Sequence, residues 1–505
     1  MPFVDHPLIR PNAIESRKYQ EAILNTASKR NTLCVLPTGL GKTTLAILLT
    51  AHRLEKYPES KVLITAPTRP LCAQHQKTFR ECLNIPEDEI ILLTGKISPG
   101  KRYELYKQAK IISATPQTID HDLKSETLDL SDFSLLVVDE VHRAVKKYAY
   151  PFVAKIYMQE AKHPRVLGLT ASPGSEEEKI KRICKNLFID AVEIRTELDA
   201  DVKPYIKGID TEFIKVNLSE NLKNTQTLLK TALKERLEKL KKYNLFIKTK
   251  RELLEAQKKV SKQIATQRKP FMFYLISLIV EAVKIWHVLE LLETQSVKST
   301  KIYLEKIKQK KTKSDKGVLN DINFIKAMKI IEEAEEHPKI TELKEVLKRE
   351  FEKNKEFRII VFSHFRDNIH HINENIQEIC RPVILIGQAG ERGLTQKEQI
   401  DVIKDFNAGY YNCLITSPIG EEGLHIPSAD IAVFYDSVPS EIRTIQRRGR
   451  VGRTKIGKII FLLTKGTRDE GYFWTAYRRE KKMKSILRQM QNENEKEQQS
   501  INEFV

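Results

Sequence analysis

Short, continuous apolar runs recur along the chain in two separate blocks. The runs are rich in β-branched residues, end at turn-forming or polar residues, and alternate with helical periods, which is typical of strands buried on both faces of a parallel sheet. The first block contains NTLCVLP (31–37), KVLITAP (61–67), KIISAT (110–115), SLLVVDE (134–140) and RVLGLTAS (165–172). The second contains FRIIVFS (357–363), RPVILIG (381–387), NCLITS (412–417), IAVFYD (431–436) and KIIFLLT (458–464). The sequence therefore predicts two α/β domains, each built on a parallel sheet.

A different kind of segment separates the two blocks. Residues 203–335 contain long Leu, Lys and Glu runs with few Gly or Pro, which predicts helix. We expect a first domain at 1–202, an all-helical insert at 203–335, a second domain at 336–480, and a polar tail at 481–505 that frays or ends as a solvated helix. We also expect neither sheet to take a strand from the insert.

The insert holds most of the chain's positive charge. Residues 221–320 contain 24 Lys and Arg against 9 Asp and Glu, an excess of 15, while the whole chain has a net charge of +19. Concentrated positive charge on helices is typical of surfaces that bind a nucleic-acid backbone. The alternative is a solvated helical face.

Composition narrows the class of protein further. With 505 residues, 41% hydrophobic and 30% charged, the chain is long enough for two to four domains and too apolar to be disordered. The six cysteines lie far apart and form no CxxC pair, which argues against a disulfide scaffold or a zinc site. The N-terminus has no apolar signal region, and the most apolar stretch, 271–280, is half the length of a bilayer span. We expect a soluble, cytoplasmic protein.

A phosphate-binding turn follows the first apolar run, at LPTGLGKTT (36–44). Its glycines let backbone amides wrap a triphosphate, and the N-terminus of the next helix adds its positive end. We predict that Lys42 reaches the β- and γ-phosphates of ATP and that the Thr43 hydroxyl binds Mg²⁺. Leu36 stands where the standard pattern has Gly. The predicted nucleotide-binding residues of the turn are Pro37, Thr38, Gly39, Leu40, Gly41, Lys42, Thr43 and Thr44.

Two adjacent carboxylates end a later apolar run, in VVDEVH (137–142). At the carboxyl edge of a parallel strand, one carboxylate can hold Mg²⁺ while its neighbour polarises the attacking water. We assign Asp139 to the metal and Glu140 as the general base. Together with Lys42 and Thr43, these residues predict nucleotide hydrolysis.

A dense arginine segment, QRRGRVGR (446–453), follows the fourth run of the second block. A basic loop of this kind can insert arginine fingers toward a γ-phosphate held by another domain. We predict Arg450 and Arg453 as the fingers, with Gln446 positioning water or the γ-phosphate. The alternative is a patch that contacts a phosphate backbone.

The motifs and their order along residues 17–454 resemble those of superfamily-two helicases and translocases. RKYQ (17–20) is similar to the adenine-reading Q motif, which implies that Arg17 and Gln20 contact the nucleotide. The segments that resemble the strand-contacting motifs of the first domain are APTRPL (66–71), LTG (93–95) and ATPQT (114–118). LTASP (169–173) resembles the motif that couples hydrolysis to strand movement. The segments that resemble the motifs of the second domain are VFSHFR (361–366), ITSPIGEEGLHIP (415–427) and QRRGRVGR. The resemblance also implies that Gly423 lies at the nucleotide and that both α/β domains are RecA-like.

Further segments resemble the family of the archaeal Hef helicase and the Fanconi anaemia M translocase. They are VKPY (202–205), HPKITELKEVL (337–347), LIGQAG (385–390), GLTQKEQIDVIKDFNAG (393–409) and VPSEIRTIQRRGR (438–450). The resemblance implies a thumb-like insert that grips branched DNA, and ATP-driven remodelling of stalled forks and junctions in repair. The sequence departs from the family at two positions. Val141 stands where the family's DEAH box has Ala. His425 stands where the family has Asp, and this second departure leaves the selectivity for ribose open.

Many Hef proteins continue into an XPF-type nuclease, but the sequence has neither its ERKxxxD signature nor tandem helix-hairpin-helix segments. We therefore expect that this chain itself does not cut DNA, and a nuclease partner or a missing nuclease region stays open. Two other functions also stay open. One is a double-stranded-RNA-stimulated ATPase resembling the RIG-I and Dicer motors, which share the helical insert. The other is a non-catalytic nucleic-acid scaffold, against which Lys42, Asp139, Glu140, Arg450 and Arg453 argue.

Overall fold

The computed structural model describes residues 2–145, 148–205, 208–267, 269–310, 312–388, 393–417, 429–438, 440–448 and 457–504. Within these residues no helix is both long enough and apolar enough to cross a membrane. The described chain forms two parallel sheets and a helical bundle between them. The predicted fold class, two RecA-like α/β domains with a helical insert, is confirmed.

The first domain is a seven-stranded sheet covered by helices on both faces. Its strands are β1 (Thr32–Val35), β2 (Lys61–Thr65), β3 (Ile90–Leu93), β4 (Ile111–Ala114), β5 (Phe133–Asp139), β6 (Val166–Thr170) and β7 (Ala191–Ile194). Its helices are α1 (Lys18–Lys29), α2 (Lys42–Lys56), α3 (Arg69–Cys82), α4 (Pro99–Gln108), α5 (Pro116–Lys124), α6 (Ala149–Glu160) and α7 (Glu177–Asn186). The strand order is β3-β4-β2-β5-β6-β1-β7, and every ladder is parallel. All five predicted strands of this domain are present, so their carboxyl ends meet at one edge of the sheet.

The second domain is a six-stranded parallel sheet with the order β10-β11-β9-β12-β13-β8. Its strands are β8 (Ile209–Val216), β9 (Ile359–Phe362), β10 (Pro382–Leu385), β11 (Cys413–Thr416), β12 (Ile431–Phe434) and β13 (Gly457–Thr464). Its helices are α14 (Pro338–Lys353), α15 (Arg366–Ile376), α16 (Gln396–Ala408), α17 (Glu441–Arg448) and α18 (Arg468–Phe504). The five strands predicted for this block are β9 to β13.

Strand β8 corrects the sequence analysis, which assigned its residues to the helical insert and expected no strand from that segment. All eight residues pair in parallel with β13, from Ile209 opposite Gly457 to Val216 opposite Thr464. The strand lies at the sheet edge, and most of its residues are partly or fully exposed. An edge strand lacks the continuous apolar run of a buried parallel strand, so its pattern was missed.

The insert is a bundle of α8 (Glu220–Lys241), α9 (Lys250–Thr266), α10 (Pro270–Thr294), α11 (Val297–Gln309), α12 (Lys313–Leu319) and α13 (Ile322–Glu333). Much of the apolar stretch 271–280 lies in its core, because Leu275, Leu278 and Ile279 of α10 are buried there. The C-terminal end of α10 attaches to the second domain. Gln295 donates a hydrogen bond to Asp436 at 3.1 Å, and Arg468 pairs with Glu293 at 3.1 Å.

A buried ion pair joins the start of α14 to the start of α18. The Lys339 ammonium donates to the Asp469 carboxylate and to the carbonyl of Tyr435, both at 2.6 Å. Burial raises the pKa of Asp469 above its usual value although Lys339 opposes this effect. The amides of Ser437 and Thr464 complete the hydrogen bonding of the carboxylate. Since the pair is fully buried, it holds the start of α18 against the second sheet.

Helix α18 begins on the second domain and continues along β7 of the first. Met483 and Leu487 are buried in the core of the first domain. The Gln491 side chain accepts a hydrogen bond from the Ile194 amide at 3.1 Å, and Arg488 pairs with Asp199 at 2.9 Å. The prediction of a solvated tail from residue 481 is therefore wrong for this part. The missed signal is the helical spacing of four apolar residues, Met483, Ile486, Leu487 and Met490.

This packing predicts the effect of shortening Leu487. Leu487→Ala leaves a cavity where α18 meets the first domain and should cost about 2–5 kcal/mol of docking free energy. Hydrogen exchange of the α18 amides beyond residue 483 should therefore become faster. Gln489→Ala is the matched control, because Gln489 is exposed on the same helix. Equal exchange in the two variants would show that the helix is not held by its buried stripe.

Candidate active site

The phosphate-binding turn connects β1 to α2 and depends on two glycines. Gly39 and Gly41 have φ of 90° and 75°, a region that residues with a Cβ rarely adopt. A Cβ on Gly41 would also lie 2.3 Å from Nε2 of Gln20. Leu36 is fully buried, and its amide bonds to the carbonyl of Thr170 at 3.1 Å. Leu36 thus belongs to the core under the turn, and the turn begins after it.

The RKYQ segment packs against this turn. The Tyr19 hydroxyl donates to the carbonyl of Leu40 at 2.9 Å, and the Gln20 amide nitrogen lies 3.4 Å from the same oxygen. Gln20 is 2% exposed, and its Oε1 has no hydrogen-bond partner among the described residues. Arg17 contacts the Tyr19 hydroxyl at 3.3 Å and lies over the ring of Tyr205. A buried acceptor without a partner suits the amino group of a purine base.

The two adjacent carboxylates lie at the carboxyl end of β5. Asp139 is the last residue of the strand, and its carbonyl accepts a hydrogen bond from the Tyr150 hydroxyl at 2.7 Å. Glu140 has a left-handed backbone with φ of 50°, a conformation that costs about 1–2 kcal/mol in a residue with a Cβ. Its amide donates to Oδ1 of Asp139 at 2.9 Å. This turn gives the neighbouring carboxylates different surroundings.

His75 holds the first of these carboxylates, and the sequence analysis missed it. Its Nε2 lies 3.0 Å from Oδ2 of Asp139, and both side chains are largely buried. Burial alone would raise the pKa of Asp139, but His75, the positive charge of Lys42 and the Glu140 amide outweigh it and hold the pKa below its usual value. Asp139 is therefore ionised at neutral pH. His75 lies on α3, which follows β2, and β2 lies beside β5 only in the folded sheet.

The remaining groups at this edge complete a site of oxygen donors and one cation. The Glu140 carboxylate lies 3.2 Å from Nδ1 of His142. The Lys42 ammonium donates to the carbonyl of Leu36 at 3.2 Å, which places the charge against the turn. Thr43 follows Lys42 in the first turn of α2. An ionised carboxylate and a hydroxyl are hard oxygen donors, which fit Mg²⁺.

Three segments that resemble strand-contacting motifs line one open cavity of about 680 Å³ on the first domain. Pro67 and Arg69 come from APTRPL, Gly95 from LTG, and Thr115 and Gln117 from ATPQT. They meet because β2, β3 and β4 are neighbours whose carboxyl ends point the same way. The cavity combines a guanidinium with hydroxyl and amide groups, the side chains that contact a phosphate backbone.

Helix α17 of the second domain faces the phosphate-binding turn. A cavity of about 340 Å³ lies between them, with Pro37 and Thr38 on one side and Ile445 and Arg448 on the other. Arg448 pairs with Glu480 of α18 at 3.0 Å. The helix therefore brings the start of the arginine segment to the nucleotide-binding edge of the first domain.

Part of the predicted site lies outside the described residues, namely Arg450, Arg453 and Gly423. The departure from the family pattern at His425 also lies outside them. Gln446 is described by its backbone only, within α17. The VFSHFR segment is described. There Asp436 accepts hydrogen bonds from the His364 amide at 2.7 Å and from the Ser363 hydroxyl at 3.1 Å, which fixes the turn after β9.

Comparison with protein families divides the chain in the same way. Residues 17–180 match "DEAD/DEAH box helicase", and residues 338–455 match "Helicase conserved C-terminal domain". Residues 221–338 match "Putative ATP-dependent RNA helicase, helical bundle".

Three curated relatives resemble nearly the whole chain. "Putative ATP-dependent RNA helicase MJ1505" of Methanocaldococcus jannaschii is 43% identical over 97% of this chain and 63% of its own length. "ATP-dependent DNA helicase mph1" of Aspergillus niger is 32% identical over 91% of this chain and 44% of its own length. "DEAD-box ATP-dependent DNA helicase Fancm" of Drosophila melanogaster is 30% identical over 91% of this chain and 34% of its own length. The chain thus spans between about a third and two thirds of each relative.

Among solved structures, the chain is similar to the crystal structure of the Pyrococcus furiosus Hef helicase domain. The two share 40% sequence identity with a TM-score of 0.74, over 93% of this chain and 99% of that one. The sequence motifs, the two parallel sheets, the helical bundle and these similarities agree. The chain belongs to the superfamily-two, ATP-dependent helicases of the Hef and Fancm type.

Proposed function

We propose that this chain couples ATP hydrolysis to movement along DNA and remodels branched DNA such as stalled forks and junctions in repair. One observation carries the proposal. The phosphate-binding turn and the Asp139–Glu140 pair converge at one sheet edge, and α17 of the second domain faces the turn. A site divided between two domains links hydrolysis to domain closure, which is how a motor turns chemistry into movement.

Each residue of the first domain has a distinct proposed role. Lys42 binds the β- and γ-phosphates of ATP, and Thr43 and Asp139 hold Mg²⁺, which neutralises phosphate charge when bound. Glu140 accepts the proton of the water that attacks the γ-phosphorus, and ADP is the leaving group. Gln20, whose Oε1 has no hydrogen-bond partner among the described residues, and Arg17 contact the base. The other residues of the turn, Pro37, Thr38, Gly39, Leu40, Gly41 and Thr44, surround the phosphates.

The second domain supplies the groups that complete the reaction. Arg450 and Arg453 stabilise the charge on the transferred phosphoryl group, Gln446 positions the water, and Gly423 contacts the nucleotide. The support for these roles is the position of α17, which leads directly into the arginine segment.

The insert is proposed to bind the nucleic-acid backbone, with its helical part at residues 217–335, after β8. Several of its cations are paired within the protein, because Lys241, Lys250 and Arg251 form ion pairs with Glu238, Glu290 and Glu255. A second set is exposed and forms no ion pair in the described part of the chain. It includes Lys242, Lys258, Lys259, Lys262 and Lys269. This second set is the better candidate for binding phosphates.

The choice of DNA rests on the names of mph1 and Fancm as DNA helicases. The 43% identical archaeal relative is named an RNA helicase, which keeps duplex RNA as the second candidate substrate.

The first test concerns the base and the phosphate-binding cation. Glu140→Gln should lower kcat for ATP about 10²–10⁴-fold, because an amide cannot accept the proton of water. Its affinity for ATP should stay within a few-fold of the unmodified chain. Lys42→Ala should instead weaken ATP binding itself. Steady-state kinetics and nucleotide titration separate the two effects, and near-normal turnover by Glu140→Gln would reject Glu140 as the base.

The second test concerns His75 as a positioning residue for Asp139. His75→Ala removes the donor that orients the carboxylate and should weaken the apparent Mg²⁺ affinity about 10–100-fold. His75→Gln should recover part of this affinity, because its amide nitrogen can donate to Asp139. The measurement is ATP turnover against Mg²⁺ concentration. If both variants lose maximal turnover equally at saturating Mg²⁺, His75 has only a structural role.

The third test concerns the substrate. Fork DNA should stimulate ATP turnover more than blunt linear DNA or duplex RNA. Lys258→Ala with Lys259→Ala should reduce the slope of log affinity against log salt by about 0.9 for each phosphate that the variant no longer neutralises. Arg251→Ala is a control, because Arg251 is paired with Glu255 and should change the slope less. Strongest stimulation by duplex RNA would replace DNA with RNA as the substrate.

A further inference from the structure

Four exposed aromatic rings surround one end of the insert. Tyr243 follows α8, and Phe271, Phe273 and Tyr274 lie in the first turns of α10; we call these four residues the aromatic tip. Between 43% and 50% of each residue is exposed. The rings of Tyr243 and Tyr274 lie 6.1 Å apart, which joins the two helix ends into one surface.

The core of the insert does not need these rings. Met272 and Leu275, from the same turns of α10, are buried and cover the bundle core. The aromatic residues occupy the outward positions, where a solvated helix would carry Lys or Glu. Several large apolar side chains exposed together indicate a binding surface, whereas single ones do not.

The tip lies at the end of α10 that is remote from the second domain. The opposite end of α10 is anchored to the second domain through Gln295 and Asp436. A helix of 25 residues is about 37 Å long, so the tip lies at roughly that distance from the anchor. A nucleic acid bound across both α/β domains could therefore meet the tip beyond the motor itself.

The positive charge around the tip indicates which class of molecule can bind there. Residues 256–280 contain five Lys and Arg and no Asp or Glu, and residues 239–245 contain three Lys and no Asp or Glu. Lys242 and Lys269, which flank the rings in sequence, are exposed and have no ion pair among the described residues. Aromatic rings beside these two cations complement a polyanion that also has flat apolar faces. Unpaired nucleotides have both properties, whereas the bases of a closed duplex are hidden in the stack.

We propose that the aromatic tip stacks on unpaired bases at the branch point of a forked nucleic acid, while Lys242 and Lys269 hold the adjoining phosphates. This inference rests on the proposed function, because it assigns the insert a role in recognising the branch. It explains how an insert could favour forks over linear duplex, since backbone charge alone is common to both forms.

The test replaces the rings in the full chain with Tyr243→Ala, Phe271→Ala and Tyr274→Ala, singly and together. Because these side chains are exposed, circular dichroism should show a folded protein. The triple variant should bind a fork with unpaired arms at least fivefold, and up to about 150-fold, more weakly if one base is no longer stacked. Binding to blunt linear duplex should change little. Tyr410→Ala is the matched control, because Tyr410 is 71% exposed on the second domain.

Two further readouts separate stacking from charge. The triple variant should keep the salt slope of fork binding, whereas Lys242→Ala with Lys269→Ala should flatten it by about 0.7 for each single-strand phosphate that is no longer neutralised. A 2-aminopurine base placed in the unpaired arm beside the branch should lose emission when the unmodified chain binds, and lose less with the triple variant. Equal fork binding by the triple variant and the Tyr410→Ala control would overturn the proposal. Equal weakening on fork and linear duplex would also overturn it, and would favour a general or protein-binding surface.

The inference and the proposed function fail in different ways. If the unmodified chain shows no fork-stimulated ATP turnover, the proposed function is wrong. The tip is judged separately, on binding of a single-stranded oligonucleotide by the unmodified chain and the triple variant. Unchanged oligonucleotide binding by the triple variant would reject the stacking role even if fork stimulation is observed.

Discussion

Parallel pairing of the central strands is the constraint on which the nucleotide site depends. Because β2, β5, β6 and β1 are neighbours with one direction, whatever follows each strand arrives at the same sheet edge. The phosphate-binding turn follows β1, and the two carboxylates are the last residue of β5 and the residue after it. His75 lies on α3, the helix that follows β2. No long loop is needed to assemble the site. The lowered pKa of Asp139 is a consequence, since His75 and the charge of Lys42 both reach it across this edge.

Two chain crossings join the α/β domains. The chain leaves the first sheet, adds β8 to the edge of the second, and only then enters the insert. It returns at the other end through α18, whose apolar stripe is buried in the first domain. Both ends of the helical insert therefore connect to the second domain, directly to β8 and through α14. Helix α18 then links the second domain and its insert back to the first domain.

The charges of the insert divide into two groups with different physical consequences. Arg236 is nearly buried and pairs with Glu281 and Asp321, and Lys284 pairs with Asp315, so these cations specify the packing of the bundle. Exposed lysines that form no ion pair among the described residues make up the second group, for example Lys258, Lys259 and Lys262 of α9 and Lys242 and Lys269 beside the aromatic tip. A net charge counted from composition cannot separate the groups, because pairing depends on which helices are neighbours.

The sequence by itself determined the features that are encoded locally. Apolar runs marked ten of the thirteen described strands, glycines marked the turn after β1, and the adjacent acids marked the end of β5. Strands β3 and β7, which lie at the two edges of the first sheet, were not predicted. Only the tertiary structure decided which strands are neighbours, and with that the contact between His75 and Asp139. It also decided that the half-exposed segment 209–216 completes the second sheet and that the stripe of Met483 and Leu487 is buried. These contacts join residues distant in the chain, so a local pattern can mark an apolar stripe, as in α18, but cannot identify the surface against which it packs.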